Sequence, residues 1–585
     1  MTRLWNDPAV FADEMIDGFV AANGRYVRRV PGGVARATAS PAGQVAIVVG
    51  GGSGHYPAFG GLVGPGLAHA AAMGNLFASP STQQVYAAAR TADTGGGVFL
   101  CYGNYAGDVL NFDAAQSRLR DEGIAVRTVT VTDDISSAPT AERDRRRGIA
   151  GDLAVFRAAA AAAENGYDLD AVAETAARAN ERTRSFGVAF GGCTLPGAEA
   201  PLFHVAEGRM AVGLGIHGEP GIDETDVPTA DALAELLVGA LTDPAELPDG
   251  VDTVRGNRVV PILNGLGSVK YEELFVVYRR VAELLGAAGA EIVDPHVGEY
   301  CTSFDMAGVS LTLFWLDDEL AQLWEHPVDT PAYRRGSVAP APHAPASSVV
   351  ESAVETVPDA DDDSRGAARR VGGLLAAVAE TVDAHAEEWG RLDAVAGDGD
   401  HGIGMQRGAR AARAAAEDAV ARGAGAGTTL RRAADAWADR AGGTSGALWG
   451  VMLAAVADAL GDTGAPTAER VAAGVDGAVR SVDAHGGAGV GDKTLVDALV
   501  PFATTLRDAV ASGSSLPVAW RDAADAAERA AAATAALRAR KGRARTHGDH
   551  SVGTPDPGAV SLAHIVRTVG DALAAAAPTL EGLPS

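Results

Sequence analysis

Cysteine is scarce. Cys101, Cys193 and Cys301 are the three in 585 residues. Three widely spaced thiols build no disulfide framework and no CxxC metal site, so reduced thiols are expected. Basic charge is also short: 48 Lys+Arg stand against 75 Asp+Glu, for a formal net charge of -27. A general binder of nucleic acid or anionic membrane needs a basic face to release counterions, and this balance excludes one. Long apolar runs are missing as well. Gly or charge breaks the apolar stretches short of the roughly 18–20 residues that a membrane span needs. Residues 1–25 carry acids throughout and lack the apolar core of a signal peptide. The expectation is a cytoplasmic protein with no nucleic-acid or membrane partner.

What is present is length, glycine and two contrasting textures. At roughly 100–200 residues per domain the chain is too long for one core. Hydrophobic residues make up 47%, which argues for a folded chain, and there are 73 glycines. Over 1–335, short apolar runs rich in β-branched residues alternate with helical patterns: QVAIVVG (44–50), GGVFLCYG (96–103), IAVRTVTVTDD (124–134), AVGLGIHG (211–218) and RVVPILNG (258–265). That alternation predicts an α/β domain with its function in loops at strand ends. Residues 336–364, rich in Pro, Ala, Ser and Asp, read as a linker. Residues 365–585 are alanine-rich with apolar positions at three-to-four spacing, which predicts an all-α domain interrupted by Gly/Asp loops.

The chemistry sits in those loops. VVGGGSGHYPAFGG (48–61) runs from a strand into Gly52, Ser53, Gly54 and His55. Glycines allow close backbone approach to a ligand, but neither a Walker loop nor a dinucleotide fingerprint is present. GNYAGDVLNF (103–112) places Gly103 and Asp108 after a second strand, and GLGIHGEPG (213–221) holds His217 between glycine turns. Asp108 alone has the bland reading of a helix N-cap. In the second half, RLDAVAGDGDHGIGMQRG (391–408) packs Asp393, Asp398 and Asp400 within eight residues. Three such carboxylates repel unless a cation lies among them, and hard oxygen ligands suit Mg²⁺ bound with a nucleotide. AGGTSGALWG (441–450), GGAGVGDKTLVDAL (486–499) and RARTHGDHSVGTPDPGA (543–559) add three glycine-punctuated loops. Backbone amides at helix starts make ready phosphate sites.

Together GGGSGH, NYxGDVLNF, GxGIHGEPG and TSFDMAGVSLTL (302–313) resemble the ketose-binding K domain of the dihydroxyacetone kinase family. GDGDHG, GGTSGxLxG, GDKTLVDAL and DPGA resemble that family's nucleotide-binding L domain, a helical barrel. The resemblance covers almost the whole chain, in the order of the fused, ATP-dependent members. It implies that His217 adds to the substrate ketone as a hemiaminal, that Asp108 takes the proton of the terminal hydroxyl, and that His55 assists acid–base transfer. Gly52, Ser53, Gly54 and Gly103 would contact substrate, Ser53 and Gly54 through the loop backbone. Asp393, Asp398 and Asp400 would hold Mg²⁺ on ATP. His401, Gly402, Ile403, Gly404, Thr444, Ser445, Gly486, Leu495, Arg543, Asp556, Pro557 and Gly558 would line the nucleotide. A homodimer built through the K domain is implied too.

Three positions depart from the family pattern. The loop that usually reads GSGHEPAH is GSGHYPAF here, with Tyr56 and Phe59, and Gly103 stands where a lysine is usual. These losses lie near the ketose pocket while His55, Asp108 and His217 remain. The reading is retained chemistry on a changed substrate, with L- or D-erythrulose ahead of dihydroxyacetone. A ketose-sensing binding protein would lack the carboxylate set, which is complete here. A triokinase-like glyceraldehyde kinase stays open, because aldehydes also add to histidine.

Overall fold

A computed structural model describes residues 4–219, 221–339, 341–342, 357–397, 399–541 and 550–575. The chain divides into two compact units, Met1–Glu351 and Ser352–Ser585.

The first unit is α/β and built on two main sheets. Its six-stranded sheet has the spatial order Val27–Val30, Gly33–Arg36, Ala70–Gly74, Ala46–Gly52, Val98–Gly103 and Val126–Val131. The last four strands of that order run parallel. The first three of these are buried along their whole length, as a parallel sheet covered on both faces requires, whereas Val126–Val131 lies at the edge and is buried only at its two ends. Ala46–Gly52 is followed in sequence by its neighbour on one side and then, after a helix, by its neighbour on the other. The order therefore reverses at Ala46–Gly52, and the crevice beyond its C-terminal end is where such sheets bind ligands. The glycine loop with His55 leaves that strand end, and the loop with Asp108 leaves the adjacent Val98–Gly103.

The second sheet is mostly antiparallel, in the order Glu291–Ile292, Arg258–Gly265, Ala307–Leu316, Thr183–Gly191, Arg209–Val212 and Asp223–Asp226, with His296–Gly298 also paired to Arg258–Gly265. The run AVGLGIHG was expected to be a strand, but the strand stops at Val212. Gly213 takes φ of 72°, a left-handed turn that throws His217 into the following loop.

The second unit is all-helical. Among the described residues eight helices follow one another: Asp362–Asp393, His401–Ala421, Ala426–Ala441, Gly443–Leu460, Ala468–Gly486, Val496–Ala511, Leu516–Ala533 and Pro557–Ala575. Each packs on the next, and the last packs on the first, so the ring closes into a barrel. Alanines such as Ala412, Ala433, Ala523 and Ala527 are buried in its core. Small side chains let helix axes approach closely, which explains the alanine bias. The first helix begins at Asp362, so its first three residues fall inside the stretch read as linker.

One composition reading is corrected by this unit. Gly443–Leu460 is an 18-residue helix of mean hydropathy 1.3, long and apolar enough to cross a membrane by composition. Here it packs between its two neighbours in the ring.

Candidate active site

In the first unit the structure brings two histidines together. His55 closes a one-turn 3₁₀ helix, Ser53–His55, at the end of Ala46–Gly52. Its Nε2 lies 2.9 Å from Nε2 of His217. Its Nδ1 lies 2.7 Å from the Thr302 carbonyl. A carbonyl only accepts, so Nδ1 of His55 carries a proton. On the far side, Nδ1 of His217 lies 3.2 Å from Oε1 of Glu219, whose Oε2 accepts from the His217 amide at 3.0 Å. The His217 ring stands edge-on to Tyr105, Phe77 and His55, with centroids 4.5, 5.8 and 4.7 Å away.

The segment around Thr302 pins both histidine loops. Thr302 donates through Oγ1 to the Tyr56 carbonyl at 2.8 Å, and the Phe304 amide donates to the Gly54 carbonyl at 3.0 Å. Ser303 Oγ donates to the carbonyl of Ile216, directly before His217. Sequence reasoning had quoted this TSFDM stretch without giving it a role.

The glycine loop is tight for packing reasons. A Cβ on Gly52 or Gly54 would fall 2.4 or 2.8 Å from the Leu76 carbonyl oxygen, and one on Gly51 would enter the Phe59 ring. Ser53 and Gly54 are expected to contact substrate through the loop backbone. Both amides are already committed, Ser53 to the Asn75 carbonyl at 3.2 Å and Gly54 to that of Leu76 at 2.7 Å. The Ser53 hydroxyl is buried and has no hydrogen-bond partner among the described residues, which leaves it for a ligand. Asp108 is buried in the first turn of the helix Ala106–Asp121. A Cβ on Gly103 would sit 3.2 Å from the Tyr105 ring, so the aromatic occupies the space beside that position.

Tyr56 and Phe59 separate in the fold. Tyr56 is 42% exposed and Phe59 is buried. A cavity of about 460 Å³ is lined by Tyr56 with Ser53, Gly54, Thr302 and Phe304, and by Phe11 and Phe19 of the N-terminal helix.

In the second unit, short connections between packed neighbours make the ring antiparallel, so alternate helix starts gather at one end. His401–Ala421 begins beside the end of Asp362–Asp393, and the His401 amide donates to Oδ2 of Asp393 at 3.3 Å. A Cβ on Gly402 would lie 1.8 Å from the Ala386 carbonyl oxygen, so Gly402 is glycine for the helix crossing itself. A Cβ on Gly404 would meet the Ala441 carbonyl at 3.6 Å, two residues before the glycine that opens Gly443–Leu460 with Thr444 and Ser445. Gly558 lies against Leu495, at 3.4 Å on the same measure, and its carbonyl accepts from Ser561 Oγ. Ser561 Oγ in turn lies 2.9 Å from Nε2 of His401. Ile403 is exposed, Pro557 opens the last helix, and Gly486 ends Ala468–Gly486. Asp398 and Arg543 lie outside the described residues.

The charge at this end asks for a cation. Burial, with Asp393 beside it, pushes the Asp400 carboxyl up to about 7. Burial likewise raises Asp556 to about 7, with Asp393 and Asp497 adding to the push. Asp556, expected among the nucleotide contacts, thus shares the electrostatics of the carboxylate cluster. Buried carboxylates that raise one another fit a hard divalent ion such as Mg²⁺. Lys493 is not free to meet a phosphate: its Nζ donates to the carbonyls of Leu537 at 3.1 Å, Thr554 at 2.7 Å, and Ser551.

Two family models divide the chain as the fold does. The Dak1 domain matches residues 17–332 and the DAK2 domain matches residues 395–571. The chain belongs to the dihydroxyacetone kinase family. It is 59% identical over 98% of its length to the L-erythrulose kinase of Pectobacterium atrosepticum, covering 97% of that protein. It is 52% identical over 98% of its length to the D-erythrulose kinase of Mycolicibacterium smegmatis, again covering 98% of the relative. Among solved structures, the dihydroxyacetone kinase from C. freundii in complex with AMP-PNP and Mg²⁺ matches with a TM-score of 0.52 and 29% identity, over 97% of this chain and 99% of that one. Sequence reasoning missed Glu219, Tyr105 and Phe77. Glu219 was within reach, because HGEPG sets an acid two residues after the histidine; the two aromatics carried no local signal.

Proposed function

We propose that this member of the family is an ATP-dependent kinase that phosphorylates a terminal hydroxyl of a short-chain ketose, erythrulose ahead of dihydroxyacetone, held as a hemiaminal on His217. The observation that carries the reading is the 2.9 Å contact between Nε2 of His217 and Nε2 of His55 at the crevice of the parallel sheet. A ring nitrogen set against a second imidazole has both a lone pair for a carbonyl carbon and a partner for the oxygen's proton. Such a covalent hold selects ketoses over polyols, since a polyol has no electrophilic carbon.

Asp108 takes the proton of the terminal hydroxyl, and the Ser53 hydroxyl supplies a hydrogen bond to the substrate. At the helical unit, Asp393, Asp398 and Asp400 hold Mg²⁺, which when bound neutralises charge on the phosphates of ATP. The starts of the helices at His401, Gly443 and Pro557 aim backbone amides at the nucleotide. A homodimer formed through the α/β unit belongs to the same proposal.

The erythrulose preference rests on two supports. Relatives at 59% and 52% identity are named for that sugar. Tyr56 and Gly103 also replace charged positions, one with an aromatic ring and the other with a glycine against which the Tyr105 ring packs. The test is ADP release with L-erythrulose, D-erythrulose, dihydroxyacetone and glyceraldehyde in parallel. One erythrulose is expected to give the highest kcat/KM. ADP release with none of the four overturns the kinase reading, and a higher value for dihydroxyacetone overturns the substrate.

A further inference from the structure

Behind the two histidines runs a buried line of charge. Arg147 grips Oδ2 of Asp134 through Nε at 3.1 Å and Nη2 at 2.9 Å. Its Nη1 lies 3.6 Å from Oε2 of Glu219. The side chains of Asp134, Arg147 and Glu219 are 2%, 13% and 10% exposed, so none is a solvated surface charge. Gly215 admits the pair: a Cβ there would lie 2.2 Å from Glu219 Oε2 and 2.5 Å from Arg147 Nη1. Burial opposes charge on Glu219, but Arg147 and His217 beside it hold its carboxyl well below the usual range.

An ionised Glu219 only accepts, so His217 must carry its proton on Nδ1. His55 must do the same, facing the Thr302 carbonyl. Two neutral rings would then present bare Nε2 lone pairs to each other across 2.9 Å. A proton between them removes that repulsion. The charges then close: Asp134 and Glu219 are balanced by Arg147 and the singly charged histidine pair.

We infer that Glu219, oriented by Arg147 and Asp134, is the positioning residue that keeps Nδ1 of His217 protonated and its Nε2 available as nucleophile. The proton shared with His55 is the one the substrate oxygen takes. In that step the His217 Nε2 lone pair forms a bond to the carbonyl carbon, and the C=O π pair moves onto oxygen. The oxygen takes the proton from Nε2 of His55. Positive charge passes from His55 to the substituted ring of His217, whose Nδ1–H stays on Glu219. Net charge is unchanged, and no further reactant is needed. This inference rests on the reading of His217 as the ketone nucleophile.

The experiment uses the full chain labelled with ¹⁵N-histidine, mixed with ketose ¹³C-labelled at its carbonyl. Wild type is expected to show His217 as the Nδ1–H tautomer and a tetrahedral carbon signal on binding. Glu219→Gln should convert His217 to a mixture of tautomers and cut the adduct population at subsaturating ketose at least ~10-fold, the scale of losing an orienting acid. KM for ATP should not move. Should Glu219→Gln fail to fold, Asp134→Asn decides: the same changes are expected in smaller measure. A wild-type tautomer and adduct yield in the folded variant overturns the positioning role. Absence of a tetrahedral carbon in wild type overturns the nucleophile reading instead, and the tautomer spectra still judge Glu219.

Discussion

Nε2 of His55 and Nε2 of His217 meet at 2.9 Å although 162 residues separate them. One histidine leaves the parallel sheet and the other leaves the antiparallel sheet, so the site exists only where the two sheets are joined. Neighbouring residues make the join: the Thr302 carbonyl holds His55, and the Ser303 hydroxyl holds the carbonyl before His217.

His217→Ala is expected to abolish the tetrahedral adduct and lower kcat/KM for the ketose by at least ~10²-fold, the usual worth of a nucleophile or acid–base partner. His55→Ala should slow adduct formation by a similar factor while still allowing some adduct to accumulate. Carbon-13 spectra of labelled ketose separate the two. Equal adduct yield in His217→Ala and wild type refutes the assignment.

Glu219 also makes stability depend on pH. Its carboxyl is held below the ordinary value of 4.5, burial being outweighed by Arg147 and His217. A depressed carboxylate contributes stability above its unfolded pKa and loses it as pH falls. Glu219→Gln should therefore destabilise the α/β unit by about 2–4 kcal/mol at pH 7, because Arg147 is left with one carboxylate fewer. The gap should narrow steadily below pH ~4.5, where the unfolded wild-type chain takes up a proton at Glu219 that the folded one does not. Thermal melts of both proteins from pH 7 down to acid measure this. A gap that stays constant rules out an ionised Glu219.

The family, both folds and the loops of the candidate site were legible in the sequence, because glycine, acid and histidine at fixed spacing leave local marks. What was not legible depends on contacts across the fold. Phe59 reads as a pocket residue beside His55; its ring does stand edge-on to His55, with centroids 6.5 Å apart, but it is buried over Gly51 and toward Phe156. The resemblance puts Gly402 in the nucleotide lining, and the crossing at Ala386 also requires its glycine. Lys493 carries no role in the sequence, and only the fold shows its three carbonyl partners. The apolar Gly443–Leu460 helix shows the converse, since composition underrates a helix whose apolar faces meet neighbours on both sides.

That separation of Tyr56 from Phe59 predicts which one sets chain-length preference. Tyr56→Glu, at the rim of the cavity with Ser53 and Thr302, should shift the erythrulose-to-dihydroxyacetone ratio of kcat/KM by roughly 10-fold, with little change in Tm. Phe59→His should cost about 2 kcal/mol through lost packing and a buried polar ring, and leave the ratio nearly as it was. Paired kinetics and melts check both. A ratio that follows Phe59 overturns the assignment.

Lys493 braces the loop that opens the last helix. Its backbone takes φ of 62°, and its ammonium satisfies three carbonyls from Leu537, Ser551 and Thr554. Lys493→Met leaves those acceptors buried without a donor, a loss of about 2–4 kcal/mol. KM for ATP should rise several-fold, since Asp556, Pro557 and Gly558 follow directly. The ketose adduct in the other unit should form normally. Adduct spectra alongside ATP kinetics test this, and a loss in both at once would place Lys493 elsewhere in the mechanism.

The proposed role of Asp400 in holding Mg²⁺ predicts opposite stability orders with and without the ion. Burial and Asp393 push its carboxyl up to about 7, so ionising it near neutrality is unfavourable until a cation arrives. In EDTA at pH 8, Asp400→Asn is expected to be more stable than wild type by about 1–2 kcal/mol. Adding Mg²⁺ should reverse the order, because a ligand stabilises a fold by RT ln(1 + [L]/Kd) and the variant binds the ion more weakly. Turnover should then require at least ~10-fold more Mg²⁺. Melts with and without the ion, set beside Mg²⁺ titrations of ADP release, give both halves. A variant less stable in EDTA, yet equal to wild type in its Mg²⁺ requirement, would make Asp400 a fold residue and move the ion to other carboxylates of the cluster.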